Sequence, residues 1–162
     1  MKRNKIIKII SAAVIVALCA AISAFAVQLA VIDGDSMKPT YHHFEFVLIN
    51  KTAKQFNTGD VVAVKLENGR TIIKRIAAVP SDTVRIVGGK LTVNGKESRL
   101  YHGISFDYAG TAENEIRLSE GEYFLIGDNV SESRDSRYGD VGTIKYDSIS
   151  GLLIPQKPIE QK

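Results

Sequence analysis

An apolar run near the amino terminus constrains this chain more than any other feature. Between residues 9 and 32 no side chain carries a formal charge, and only Ser11, Ser23 and Gln28 interrupt the apolar character. An α-helix of that length extends about 36 Å, which is enough to cross a hydrocarbon core of about 30 Å. The sequence therefore predicts a membrane-spanning anchor over residues 9–32.

The charges on either side of this run predict its orientation. Residues 1–8 form a basic tail with Lys2, Arg3, Lys5 and Lys8. Asp33 and Asp35 follow the run. Because basic flanks are retained on the cytoplasmic side, we expect the tail in the cytoplasm and residues 33–162 outside. The tail accounts for the net charge of +3, so the rest of the chain gives no support to nucleic-acid binding.

A cleavable signal peptide is the alternative interpretation of the same run. Ala24-Phe25-Ala26 has the small-x-small pattern of a cleavage site. The apolar run is long for a signal peptide and continues past Ala26, so we favour a retained anchor. Both interpretations place the following domain outside the cytoplasm. The single cysteine, Cys19, predicts neither an internal disulfide nor a zinc site.

Beyond the anchor, the chain consists of short β-branched runs separated by turn signals. The predicted strands cover residues 44–49, 61–66, 71–79, 83–87, 91–93, 123–126 and 143–146. Asn68-Gly69 and Asn94-Gly95 are typical of hairpin turns, and no helical period is evident. The predicted class is all-β, an antiparallel barrel or sandwich over residues 33–162. We expect residues 96–116 to form a surface excursion from the main sheet.

The first segment with chemical potential is Gly34-Asp35-Ser36-Met37-Lys38-Pro39-Thr40. Glycine and proline can hold the serine exposed in a turn, with backbone N–H groups free nearby. A nucleophile needs that geometry, because the N–H groups can bind an oxyanion. Taken alone, a serine between glycine and proline is more often ordinary turn chemistry.

The second segment is the predicted strand that contains Lys74. Because side chains alternate along a strand, Lys74 shares a face with Ile72 and Ile76, while Arg75 points the other way. A lysine on an apolar face is poorly solvated, which lowers its pKa and lets the neutral amine accept a proton. Alternatively, this face is exposed and the ammonium group reaches water.

The third segment, residues 127–140, is rich in side chains that form hydrogen bonds and ion pairs. Asp135 and Arg137 would form a charge-assisted pair that fixes the loop. A serine hydroxyl in the loop would be able to orient a lysine amine. A solvated loop with local capping bonds is the alternative interpretation.

Together these segments resemble the bacterial type I signal peptidases, serine–lysine proteases that remove signal peptides from exported proteins. Ser36-Met37-Lys38-Pro39-Thr40 is similar to the nucleophile box, Gly59-Asp60-Val61-Val62 to a short strand box, and Lys74-Arg75-Ile76 with Pro80 and Asp82 to the lysine box. Gly127-Asp128-Asn129 with Ser133, Asp135-Ser136-Arg137 and Gly139 is similar to the last box. The resemblance runs from the anchor to about Gly142, with the boxes in the family's order.

The resemblance implies a role for each matched residue. The roles are Ser36 as nucleophile, Lys74 as general base, Ser133 as the hydroxyl that orients the lysine, Asp135 and Arg137 as the pair that holds the site, and Met37 as part of the substrate cleft. The implied fold is built from antiparallel coiled sheets that form a partial barrel. The implied activity is cleavage of signal peptides after small residues at the outer face of the cell membrane, without a cofactor or metal. The implied partners are the signal peptides of preproteins and the lipid bilayer.

Two positions depart from the family's pattern. Gly34 stands where some members carry a hydroxyl residue that helps to bind the oxyanion, so we expect the oxyanion hole to depend on backbone N–H groups. Ser81 stands where a glycine is usual between Pro80 and Asp82, which concerns turn geometry rather than chemistry.

Three other functions are compatible with parts of this sequence. A histidine triad would need His42, His43 or His102, and the first two are adjacent residues whose side chains diverge in an extended segment. A self-cleaving repressor would also need a DNA-binding domain, and the sequence shows none. A non-catalytic, membrane-tethered homologue that acts as a binding or assembly factor is the alternative from another functional class. Intact Ser36 and Lys74 argue against it.

Overall fold

The structure, a computed structural model, describes residues 14–15 and 25–159. The strands in this part of the chain are β1 (Val27–Val31), β2 (Phe46–Asn50), β3 (Val61–Lys65), β4 (Thr71–Ala78), β5 (Thr83–Val87), β6 (Lys90–Val93), β7 (Lys96–Glu97), β8 (Ile116–Arg117), β9 (Glu122–Ile126), β10 (Ile144–Lys145) and β11 (Ile149–Ile154). Two short 3-10 helices cover Gly110–Glu113 and Tyr146–Ser148.

The strands form two antiparallel sheets. A seven-stranded sheet has the order β1-β2-β11-β3-β4-β9-β10, and a four-stranded sheet has the order β7-β6-β5-β8. The larger sheet is curled into a half-barrel. The prediction of an all-β antiparallel fold is confirmed. Each predicted strand is present, with bounds that differ by at most two residues.

Four strands lack a clear signal in the sequence. β7 and β8 have two residues each, which is too short for a period to show. β11 contains Gly151, where the pairing with β3 shifts register, so its apolar residues do not alternate regularly. β1 lies inside the apolar run that was assigned to the anchor.

β1 corrects the carboxyl end of the predicted anchor. Val27–Val31 pairs with β2 from Val27 opposite Asn50 to Val31 opposite Phe46, so the expected helix does not extend to residue 32. The physical reason is the period: Val27, Leu29 and Val31 alternate with smaller or polar residues, as in a strand. The basic tail and most of the predicted span lie outside the described residues. Among the residues that the structure does describe, no helix is long and apolar enough to cross a membrane.

The segment between β6 and β9 also differs from its prediction as a surface excursion. Tyr101, Phe106 and Ala112 are buried in a core cluster that includes Phe124 of β9 and Leu91 of β6. These side chains fill the space between the smaller sheet and the larger one. Two of the three aromatic residues of this segment, Tyr101 and Phe106, are therefore core residues, whereas Tyr108 is exposed.

A second core cluster lies beneath the first chemical segment. Its buried members are Ile32, Met37, Tyr41, Val47, Ile49, Val61, Ala63 and Leu153, and we call it the serine-side cluster. Met37 and Tyr41 come from the loop that contains Ser36, whereas the others come mainly from the larger sheet. The loop is thus held by burial of its apolar side chains against the sheet.

Candidate active site

A compact turn presents Ser36 at the surface of the serine-side cluster. The Lys38 N–H donates to Asp35 O at 3.1 Å, and the Tyr41 N–H donates to Met37 O at 2.9 Å. Gly34 has a φ of +89°, a left-handed conformation that glycine adopts without steric cost. Met37 is only 1% exposed, so the residue next to Ser36 anchors the turn while Ser36 itself is half-buried.

The structure brings Ser36 and Lys74 together, although they are far apart in sequence. Lys74 Nζ lies 2.6 Å from Ser36 Oγ and donates a second hydrogen bond to Ile73 O at 3.0 Å. Lys74 belongs to β4 and is 4% exposed. The buried alternative for the strand face, rather than the solvated one, is therefore the one observed.

Burial lowers the pKa of Lys74 to about 8 from its usual 10.5. Desolvation of the ammonium group is the main cause, and the carboxylates of Asp135 and Asp128 oppose it by favouring the charged form. The guanidinium groups of Arg70 and Arg137 lower the pKa further. A substantial fraction of Lys74 is consequently neutral near physiological pH and able to accept a proton.

Arg75, the neighbour of Lys74, forms a buried ion pair that the sequence analysis did not assign. Its Nε and Nη2 donate to the two carboxylate oxygens of Asp128 at 2.7 and 2.6 Å, and its Nη1 donates to Gly59 O at 2.7 Å. Both side chains are almost completely buried. The bidentate pair ties β4 to the loop after β9. Arg75 and Asp128 each belong to a matched box, but the spacing between the two boxes does not show that these side chains meet.

The ion pair expected between Asp135 and Arg137 is present and buried. Arg137 Nε lies 2.8 Å from Asp135 Oδ1, and Nη2 lies 2.9 Å from Oδ2. Arg137 Nη2 also donates to the backbone oxygens of Val130 and Ser133. Asp135 Oδ2 accepts a hydrogen bond from the Gly127 N–H at 3.1 Å. The pair therefore closes the loop of residues 127–137 on itself, close to Lys74.

Ser133 lies next to the serine loop but forms no hydrogen bond with Lys74. Its side chain is buried, and Oγ has no hydrogen-bond partner among the described residues. The hydrogen bond to Lys74 that the resemblance implies is thus not formed in this conformation. An unpaired buried hydroxyl costs free energy, which favours a small shift that would supply a partner.

Gly127 is a residue of this site that sequence reasoning missed. A Cβ atom at this position would approach Ser133 Oγ to 2.3 Å and Ser36 O to 2.4 Å. The next residues hold the same contact, since the Asn129 N–H donates to Ser36 O at 3.0 Å. Only glycine allows the loop after β9 to pass this close to Ser36. Gly127 is part of the matched last box, but the sequence does not show why a larger residue is excluded at this position.

A cleft of about 610 Å³ opens beside Ser36 and Lys74. Residues 28–37 line one side, residues 70–74 line the other, and Glu132 and Arg134 lie at its rim. β1 is the edge strand of its sheet. β9 pairs with β4 only from Arg75 onward, so the backbone of residues 71–74 has no strand on that side. Two unpaired strand edges therefore border the cleft. Met37 lines it, as the resemblance implies.

The histidines have other partners than the serine. His43 Nδ1 accepts a hydrogen bond from the Gly34 N–H at 2.9 Å, and His102 contacts Glu97. The backbone N–H of His42 donates to Glu45. These contacts give no support to a histidine-based triad.

Comparison with known proteins identifies the class of this protein. The family described as signal peptidase, peptidase S26, matches residues 3–154, so the chain is that of a peptidase. Signal peptidase I S of Bacillus subtilis (strain 168) is 34% identical over an alignment of 135 positions, and the match covers 75% of this chain and 71% of that protein. Signal peptidase I of Bacillus licheniformis is 30% identical over an alignment of 169 positions, gaps included, and the match covers 93% of this chain and 87% of that protein. The chain belongs to the signal peptidase family.

A solved structure supports the same conclusion. The crystal structure of a signal peptidase I from Enterococcus faecalis V583 is similar, with a TM-score of 0.50 and 25% sequence identity. The similarity covers 62% of this chain and 98% of that chain.

Proposed function

We propose that this chain is a membrane-bound serine endopeptidase that cleaves N-terminal signal peptides from exported preproteins after small residues. Ser36 is the nucleophile and Lys74 the general base. The observation that carries the proposal is the 2.6 Å contact between Lys74 Nζ and Ser36 Oγ inside a buried site at the edge of a cleft. Membership of the signal peptidase family supplies the substrate class.

The mechanism follows from the protonation state of Lys74. The neutral amine accepts the proton of the Ser36 hydroxyl as Oγ attacks the scissile carbonyl carbon, within the reach of about 2.6–3.2 Å that proton transfer needs. The resulting ammonium group then donates this proton to the leaving amine, and an acyl-enzyme forms. Lys74 next takes a proton from water as the water attacks the ester, and the ammonium group returns this proton to Ser36 Oγ as the product leaves.

The oxyanion must be held by the backbone, because Gly34 offers no hydroxyl group. The N–H of Ser36 and other N–H groups of the same turn are the donors we assign. The turn is rigid, since two internal hydrogen bonds and the burial of Met37 fix it. Such preorganised donors stabilise the negative charge that develops in the transition state.

The remaining residues of the last box support the pair. We assign Ser133 to orient the amine of Lys74 once substrate closes the site, because its buried hydroxyl lacks a partner and lies beside Gly127 and Ser36. Asp135 and Arg137 hold the loop that carries Ser133. Met37 forms part of the wall against which a small substrate side chain packs.

The two unpaired strand edges indicate how the substrate binds. An extended peptide in the cleft would add a strand to β1, to residues 71–74, or to both, with main-chain hydrogen bonds that do not depend on sequence. Specificity then comes from the side chains that point into the walls. Ile32, Ile73 and Met37 belong to those walls, and we assign them to the recognition of small substrate side chains.

An exposed apolar face supports association with a lipid bilayer. In the β1–β2 ladder Leu29 is opposite Leu48 and Val31 is opposite Phe46, while Ile154 of β11 is opposite Leu48 on the other side. All five side chains are at least 40% exposed. This face continues directly from the apolar run that ends at β1, so one lipid phase would cover both. The basic tail would then be cytoplasmic and the catalytic domain extracytoplasmic.

The function is tested by cleavage of a labelled preprotein with alanine one and three places before the cut. Detergent-solubilised wild type should release the signal peptide, and Ser36→Ala and Lys74→Met should each reduce kcat/KM by about 10³-fold or more. Ser150→Ala and Lys65→Met are matched controls, because both residues are exposed on strands outside the cleft. Normal turnover by Lys74→Met would exclude the mechanism. A wild type that binds the preprotein without cutting it would support the non-catalytic alternative.

A further inference from the structure

Residues 155–157 follow β11 and pack against the loop that carries Ser36; we call them the 155–157 strap. They begin where the family match ends, at residue 154. We propose that this strap is a positioning element of the active site, with Gln156 and Lys157 as positioning residues that act through Tyr41. The proposal rests on the proposed function, because its catalytic effect is observed through Ser36.

Gln156 fastens the strap to the larger sheet. Its Oε1 accepts a hydrogen bond from the Val61 N–H at 2.8 Å, and its Nε2 donates to Val61 O at 2.9 Å. Nε2 also donates to Leu153 O at 2.8 Å. The side-chain amide thus imitates a residue of a neighbouring strand at the first position of β3. β11 itself pairs with β3 only as far as Leu152 opposite Val62.

Tyr41 joins the strap to the serine loop. Its hydroxyl group donates to Pro155 O at 2.8 Å and accepts from the Lys157 N–H at 3.1 Å. The side chain is completely buried, and this burial raises the pKa of the phenol, so the hydroxyl remains available as a donor. Removal of the strap would leave a buried hydroxyl without partners, at an energetic cost.

Lys157 holds the strap against the serine loop from the outer side. Its ammonium group forms an ion pair with Glu45 and donates to Thr40 O at 3.2 Å. The nitrogen also lies 4.7 Å from the centre of the Tyr41 ring, within the range of a cation–π contact. One side chain therefore restrains two consecutive residues of the serine loop, Thr40 and Tyr41, and the residue that precedes β2, Glu45.

The contacts reach Ser36 through two short steps. The Tyr41 N–H donates to Met37 O, which fixes one end of the turn to the other. The Tyr41 ring and the Met37 side chain both belong to the serine-side cluster, together with Val61 and Leu153. Because the interior is closely packed, a displacement of Tyr41 is transmitted to Met37 and so to the adjacent serine.

The strap lies outside the substrate cleft, which predicts a particular kinetic effect. Neither Tyr41 nor any residue of the strap lines the cleft. Substrate binding should therefore be little affected by changes in the strap, whereas alignment of Ser36 Oγ with Lys74 Nζ should suffer. A misplacement of about 1 Å in such a pair reduces the rate by about 10²-fold.

Tyr41→Phe is the sharpest variant, because it removes both hydroxyl contacts and keeps the ring packed. Tyr146→Phe is its control, since the Tyr146 hydroxyl donates to Lys54 O at an exposed position outside the cleft. In the full-length, detergent-solubilised protein we expect kcat to fall about 10- to 100-fold for Tyr41→Phe, with KM changed by less than about twofold. Gln156→Ala should act in the same direction, whereas exposed Gln55→Ala should not. Lys157→Arg should retain more activity than Lys157→Met.

Hydrogen exchange of residues 36–41 provides a measurement that does not depend on cleavage. The amide of Tyr41, which is bonded to Met37 O, should exchange faster in Tyr41→Phe and Gln156→Ala than in their controls. Unchanged exchange together with control-like kcat would overturn the proposal, even if Ser36-dependent cleavage were established. If both variants exchange faster than their controls but cleavage by the wild type does not depend on Ser36, the proposed function is refuted and the positioning of the loop by the strap still stands.

Discussion

The titration of Lys74 yields the most quantitative test of the site. Burial lowers its pKa to about 8 from 10.5, so only the neutral fraction of this group limits catalysis on the acid side. The perturbation is a change of pH from 6 to 9 with substrate, salt and detergent held constant. The measured quantity is kcat/KM, which reports the ionisation of the free enzyme.

The expected size of the effect follows from that pKa. The neutral fraction of Lys74 is about 1% at pH 6, about 10% at pH 7 and about 90% at pH 9. We therefore expect kcat/KM to rise roughly 90-fold between pH 6 and 9 and to level off above pH 9. A lysine with the ordinary pKa of 10.5 would be roughly 300-fold less neutral at pH 7 and would show no plateau in this range.

Unfolding must be separated from titration in this experiment. The folded pKa of Lys74 lies below its unfolded value, so between pH 8 and 10.5 the unfolded chain binds more protons. This group therefore adds stability as the pH rises through that window, and it cannot cause a loss of fold on the alkaline side. Circular dichroism at each pH supplies the control. A flat profile from pH 6 to 9 in folded protein, or a rise that continues past pH 10, would refute the assignment of Lys74 as a base with a lowered pKa.

Two further predictions concern the exposed apolar face and Gly127. The chain contains no tryptophan, so Phe46→Trp places a single fluorescent reporter on that face, and Val87→Trp places one at an exposed position of β5 in the other sheet. In vesicles with brominated lipids, only the fluorescence of the Phe46→Trp variant should be quenched. Equal quenching of both variants would exclude bilayer contact by the face. Gly127→Ala should reduce kcat about 10²-fold or more, because the added methyl group must displace Ser36 or Ser133. Gly139→Ala is the control and should retain normal kcat, since nothing lies within 4 Å of the added atom. Comparable kinetics of the two variants would show that the close approach at Gly127 is not required.

The sequence alone predicts the strands that have a clear period, but not the packing between them. The runs that form β3, β4 and β5 are β-branched and bounded by turn residues, so their positions follow from local signals. The aromatic residues Tyr101 and Phe106 follow no period, because their burial depends on a second sheet that arrives from elsewhere in the chain. Composition alone therefore suggested a surface segment, where the structure has a core.

The site shows the same division. The isoleucine neighbours of Lys74 on β4 indicate a desolvated lysine as one of two alternatives, and the pair of Asp135 and Arg137 follows from their proximity in sequence. The partner of Arg75 could not be derived from the sequence, because Asp128 lies on a loop far along the chain. The position of that loop relative to β4 depends on the strand pairing of the whole sheet. The need for glycine at position 127 is likewise a matter of distances between backbones, which residue types do not reveal.

The position of β1 limits the distance between Ala26, the residue before the strand, and Ser36, the proposed nucleophile. Only nine residues lie between Ala26 and Ser36, and five of them form a strand bonded to β2 rather than a flexible linker. At about 3.3 Å per residue the separation is at most about 33 Å, and the sheet prevents it from varying. The strand therefore limits how far Ser36 can lie from the residues before Val27: if those residues are embedded in lipid and β1 lies against the bilayer, only bonds close to the membrane surface reach the nucleophile.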